Sequence, residues 1–148
     1  MSSAVHEGGG PPETPYHGSP KARISLGDPF LIEDVLAKYP KLRLYMMHSG
    51  EVWYEHAVRM MQMYPQLYSD LGVLLWVTPL TQHYATEFLR LAKADGSLHR
   101  VMFGTDQMKW PGATEKSIQF LNSIPFLTKQ DKEDILCNNA ARFLRLNK

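Results

Sequence analysis

Short apolar runs alternate with amphipathic stripes along this chain, and that order constrains the fold more than any other feature. Leu42-Arg43-Leu44-Tyr45-Met46-Met47 reads as a strand, as do residues 67–71 and 100–104. Residues 2–6 supply a fourth. Between them, apolar residues fall at helical spacing. Asp28-Pro29 has the form of a helix start, followed by Ile32, Val35, Leu36 and Tyr39 on one stripe and stopped by Pro40. Trp53, Ala57, Met60, Met61 and Tyr64 mark a second helix closed by Pro65. Leu80, Tyr84, Phe88, Leu91 and Ala92 mark the inward face of a third, which stops at Gly96. A helical C-terminal part follows, with Ile118 and Leu121 apolar and a capping box at Thr128-Lys129-Gln130-Asp131. Strand, helix, strand in this order implies parallel strands joined by right-handed crossovers, an α/β fold. Residues 7–27 interrupt the pattern with Gly8-Gly9-Gly10-Pro11-Pro12 and further turn residues. A loop of about twenty residues is functional or disordered in most compact domains.

Composition narrows the function classes. With 148 residues the chain is expected to form one domain over 1–148. Charged residues make up 21% and the formal net charge is +1, so no field favours nucleic acid. The longest apolar run, Leu71 to Val77, is far short of the roughly 20 residues of a membrane span. No secretory signal is visible at the N-terminus. The lone Cys137 allows no internal disulfide, and its apolar helical setting reads as core rather than nucleophile. Together these point to a reducing, cytoplasmic setting.

Three of the strands deliver a metal-competent group at their C-terminal ends: His6, His48 and Asp106. In a parallel sheet those ends share one edge, so residues far apart in sequence converge. Imidazole nitrogen and carboxylate oxygen suit Zn²⁺ or a similar cation, which lowers the pKa of bound water toward about 7. A hydrogen-bonded structural histidine is the competing reading for each residue alone. Glu7 and Glu51 flank the two histidines and read either as orienters of metal-bound imidazoles or as exposed loop carboxylates. Trp110 lines a pocket for a flat substrate or simply packs. His17 serves as a lid group or as a solvated loop residue. His56, His83 and His99 read as surface or structural groups, and Lys109 and Arg23 are candidates to meet an anionic substrate.

Four segments carry a family resemblance: His6-Glu7-Gly8 with its Gly/Pro loop, Tyr45-Met46-Met47-His48-Ser49-Gly50, Phe103-Gly104-Thr105-Asp106, and Asn139-Ala140-Ala141-Arg142-Phe143-Leu144. In this order they resemble the amidohydrolase superfamily, and within it the amidohydrolase-related branch, amidohydrolase family 2. That branch includes metal-dependent hydrolases of C–O and C–N bonds and decarboxylases of aromatic or unsaturated acids. The resemblance implies a distorted (β/α)₈ barrel in which His6 closes strand 5, His48 strand 6 and Asp106 strand 8, with residues 67–71 as strand 7. It implies that His6 binds the metal and that His48 binds a metal or polarises the substrate. Asp106 would touch the metal and shuttle the proton.

One departure stands out. The family opens with a His-x-His pair on strand 1, and none of the histidines at 6, 17, 48, 56, 83 and 99 stands two residues from another. A barrel takes about 250 residues. The chain is therefore expected to hold the C-terminal half: a partial (β/α)₈ TIM barrel of about four parallel strands with flanking helices. Two open edge strands, near 2–6 and 100–104, would leave it to form a homo-oligomer or to need a missing N-terminal half. The expected activity is metal-activated water attacking an ester, lactone or amide bond of a small molecule, with zinc, or else manganese, as the cofactor. A one-metal decarboxylase and a non-catalytic half-barrel interaction module are the alternatives.

Overall fold

The computed structural model describes residues 2–146, so the expectation of one domain over 1–148 extends past both ends, to Met1, Asn147 and Lys148. Four strands form one sheet: β1 (Ser2–His6), β2 (Arg43–Met47), β3 (Leu67–Asp70) and β4 (Val101–Met102). They lie in the order β1-β2-β3-β4, and every neighbouring pair is parallel. The helices are α1 (Glu33–Lys38), α2 (Tyr54–Met63), α3 (Pro79–Asp95), α4 (Ala113–Ser123), α5 (Lys129–Glu133) and α6 (Asn139–Leu144). The alternation read from the sequence is the α/β arrangement observed.

Side chains alternate across a strand, so the register divides the sheet into two faces. Leu44, Met46, Leu67, Ser69 and Val101 point to one face and are buried. They join Ala57, Met60 and Met61 of α2 and Ala85, Phe88, Leu89 and Ala92 of α3 in one core. The opposite face is only half covered: Ala4 is exposed, and Tyr45, Met47 and Tyr68 are partly so. Phe143 of α6 reaches this face, with its ring centroid 5.5 Å from Tyr45 and 5.0 Å from Tyr68.

α3 shows how local signals set an element's limits. Thr78 caps the first turn, accepting from the Thr81 amide, and Pro79 fills the first helical position, where a missing N–H costs nothing. Gly96 ends the helix at φ 81°, a left-handed conformation that glycine adopts freely. Its buried face differs from the expected stripe. Thr81, Ala85, Phe88, Leu89 and Ala92 face inward, while Leu80 and Leu91 are exposed. Small residues at 81, 85 and 92 let the helix approach its neighbours closely, and that outweighs the pull of two leucines. On α1, likewise, only Leu36 is fully buried; Val35 and Tyr39 are exposed because no layer covers that side.

Two further expectations are corrected in the C-terminal part. Cys137 is exposed, not core. Residues Asp134–Asn138 form a π-turn, which widens the helix and turns Ile135 inward in its place. The strand near 100–104 shrinks to two residues, and its outer edge is not open. Asn139 Nδ2 donates to Val101 O at 2.6 Å and to Leu98 O at 3.0 Å, while Phe103 N donates to Ile135 O at 2.8 Å. The π-turn and α6 thus occupy the groups an adjoining strand would use. Asn139 is fully buried. Asn139→Ala leaves two carbonyls without their donor and is expected to cost about 2 kcal/mol in urea denaturation. A loss under about 0.5 kcal/mol would show that those carbonyls are satisfied otherwise.

Candidate active site

The parallel strands end on one rim, and the backbone there is unusual. His48 (φ 63°), Ser49 (φ 49°) and Glu51 (φ 51°) are left-handed around Gly50 (φ 72°), and Asp106 is left-handed at φ 51°. Each non-glycine residue in that region costs on the order of 1 kcal/mol and persists only where its surroundings hold it. The holding groups are visible. Asp70 Oδ1 accepts from His48 N at 3.0 Å and from Gly72 N at 2.9 Å. Ser49 Oγ donates to Asp70 O at 2.5 Å. Across the rim, Thr105 O accepts from Val73 N at 3.2 Å and from Trp76 Nε1 at 2.8 Å, which fixes the residue before Asp106.

These turns gather the three strand-end groups. The rings of His6 and His48 meet edge-on, with centroids 4.7 Å apart. His48 Nε2 lies 4.0 Å from Asp106 Oδ2. His48 is buried, and its Nδ1 lies 3.1 Å from Gly72 O. A carbonyl oxygen only accepts, so Nδ1 carries a proton toward Gly72 O, and Nε2 is the nitrogen that faces Asp106. His6 is exposed and lines a cavity of about 240 Å³ with Gly8, Thr14, Arg23 and Leu26 of the long loop. Two nitrogens and one oxygen are the donor chemistry a divalent cation accepts. Among the described residues no three His, Cys, Asp or Glu side chains are arranged to hold a metal ion by themselves.

Glu7 is 2% exposed, and its Oε1 has no hydrogen-bond partner among the described residues. Burial, and then the negative charge of Asp28, push its carboxyl up to about 7. Glu51 serves the loop rather than either histidine, its Oε2 accepting from Gly9 N at 2.5 Å. His17 stands in an exposed pair with Glu13 at 2.9 Å. Trp110 is exposed and tilts against Trp76, with centroids 5.6 Å apart. Arg23 spends its guanidinium on Pro20 O and Ala22 O. His56 bonds Asp28 at 2.9 Å and stacks between Phe30 and Trp53, a structural role. Asp70 went unnoticed in the sequence, where it looks like the polar end of an apolar run. The rule that singled out the other strand ends applies to it equally.

Comparison with known proteins follows the same lines. An uncharacterised TIM-barrel protein from Bordetella bronchiseptica matches with a TM-score of 0.74 at 23% identity, over 98% of this chain and 46% of that one. 5-Carboxyvanillate decarboxylase from Sphingomonas paucimobilis matches with a TM-score of 0.62 at 14% identity, over 97% of this chain and 49% of that one. A Burkholderia multivorans amidohydrolase solved with bound zinc matches with a TM-score of 0.58 at 15% identity, over 78% of this chain and 48% of that one. At these identities the likeness establishes the fold, that of a partial TIM barrel. The chain spans about half the length of the solved structures it matches. No curated protein matches. The family model described as amidohydrolase matches residues 4–146, and the chain belongs to that family.

Proposed function

We propose that the chain carries the C-terminal-half contribution to a metal-dependent hydrolase site, with His6 and His48 holding a divalent cation and Asp106 handling the proton. The observation that supports this best is the commitment of His48 Nδ1 to Gly72 O, which leaves Nε2 free at the rim shared with His6 and Asp106. A divalent cation there supplies positive charge that polarises a carbonyl oxygen and makes hydroxide accessible near neutral pH. Zinc suits the two imidazoles, and manganese is the second choice. Asp106 keeps enough exposure to reach solvent and takes the proton of the water that attacks an ester, lactone or amide, then returns it to the leaving group. Trp110 and Trp76 form an apolar wall for the substrate. The remaining ligands come from a segment this chain does not hold, the other part of the barrel. An exposed, unpaired Cys137 suits a reducing cytoplasm.

Metal analysis and titration calorimetry of the purified chain with Zn²⁺ and Mn²⁺ test the reading. Zinc is expected to bind, and His6→Ala and Asp106→Ala are each expected to weaken it about tenfold or more. A folded chain that takes up neither metal would show that these residues hold no cation unaided and would favour the non-catalytic interaction module.

A further inference from the structure

We propose that Asp70 is a positioning residue for His48: a single β3 carboxylate sets the orientation and the tautomer of that imidazole. The use of the ring rests on the hydrolase reading above; the geometry does not. Asp70 Oδ1 bonds two backbone amides at once, those of His48 and Gly72. The first bond holds the left-handed residue that swings the imidazole onto the rim. The second holds the residue whose carbonyl receives the ring's Nδ1 proton at 3.1 Å. One side chain therefore fixes both the base of the histidine and the acceptor that decides which nitrogen is protonated.

The surroundings admit this arrangement and little else. A Cβ on Gly72 would stand 2.9 Å from His48 Nδ1 and 3.2 Å from Asp70 Oδ1, so only glycine lets ring, carboxylate and backbone meet. A Cβ on Gly104 would stand 3.3 Å from Asp70 Cγ, so the carboxylate also rests against the chain that follows β4. Three of the four strand ends thus close around one carboxylate. An Asn at 70 keeps the oxygen that accepts both amides and loses the charge; an Ala loses both.

Long-range ¹H–¹⁵N NMR of the histidine rings, assigned with His48→Gln, reads the tautomer with no metal present. The native chain and Asp70→Asn are expected to show His48 protonated at Nδ1. Asp70→Ala and Gly72→Ala are expected to show a mixture with the Nε2-protonated form. Zinc titration adds a second readout: about 10- to 100-fold weaker binding for Asp70→Ala and near-native binding for Asp70→Asn. An unchanged tautomer in both alanine variants would overturn the proposal. So would loss of zinc binding in Asp70→Asn with the tautomer intact, which would make Asp70 a ligand. If Asp70→Ala fails to fold, Asp70→Ser, whose short side chain cannot reach both amides, takes its place, because Gly72→Ala also crowds the ring directly. A native chain that binds no zinc counts against the hydrolase reading, and the NMR comparison still judges Asp70.

Discussion

Arg100→Ala is expected to destabilise the chain by about 4 kcal/mol, measured as a lowered urea midpoint at an unchanged slope. Arg100 is 8% exposed, and its Nη1 donates to three backbone carbonyls: Met61 O at 2.8 Å, Tyr64 O at 3.1 Å and Leu67 O at 3.1 Å. The first two belong to the C-terminal end of α2, where carbonyls have no helical partner and the helix dipole favours a cation. The third begins β3. Arg100 therefore ties the end of a helix to the start of the strand that follows it. Burial lowers its pKa, an effect opposed by Tyr68 and Asp95. Truncation strands three acceptors, each worth about 1–3 kcal/mol when left unpaired, less what water recovers. Arg100→Lys is expected to lose about half as much: all three acceptors are served by one nitrogen, Nη1, and an ammonium has three protons for them, but the shorter lysine side chain does not carry it as far. A loss below about 1 kcal/mol for Arg100→Ala would mean that those carbonyls find other donors.

The second large effect depends on pH. Glu7 is expected to make the chain less stable as pH rises. Below about 4.5 its carboxyl is protonated in both folded and unfolded chains and contributes no slope. Between there and about 7 the unfolded chain gives up the proton while the folded chain keeps it, so stability falls with each step in pH. Above that window both forms are ionised and the penalty is constant, about 3 kcal/mol. Glu7→Gln removes the titration. Melting the two proteins at pH 5 and pH 8 should therefore show the variant gaining on the native chain only at the higher pH. Equal pH slopes would place the Glu7 carboxyl in contact with water or a donor.

The parts of this molecule legible in the sequence are those set by local pattern. Strand-and-helix alternation implies the parallel sheet, and a parallel sheet puts strand ends on one rim, so the sequence alone points to His6, His48 and Asp106. Caps at Asp28, Thr128 and Gly96 marked helix ends correctly, because a cap acts within four residues. Features set by distant contacts were hidden. Arg100 looks like the first residue of a strand, and nothing nearby tells that carbonyls at 61, 64 and 67 will surround it. The capped β4 edge depends on Asn139, about forty positions away. The face of α3 was misjudged because two stripes were available and packing chose the one with smaller residues. Cys137 was misplaced because a π-turn breaks the helical period on which its assignment rested. Asp70 belonged to the legible class and was overlooked.

The capped β4 leaves β1 as the sheet's one unguarded margin among the described residues, so any edge-to-edge pairing of two copies would have to start there. Two copies joined there would align β1 against β1 about a twofold axis, hence antiparallel. Their histidine-bearing rims would then point in opposite directions. Such a pair quiets the exposed margin but cannot merge two half-centres into one. A segment adding to β1 in parallel, with its own strand ends on the same side, would instead set its side chains beside His6 and His48.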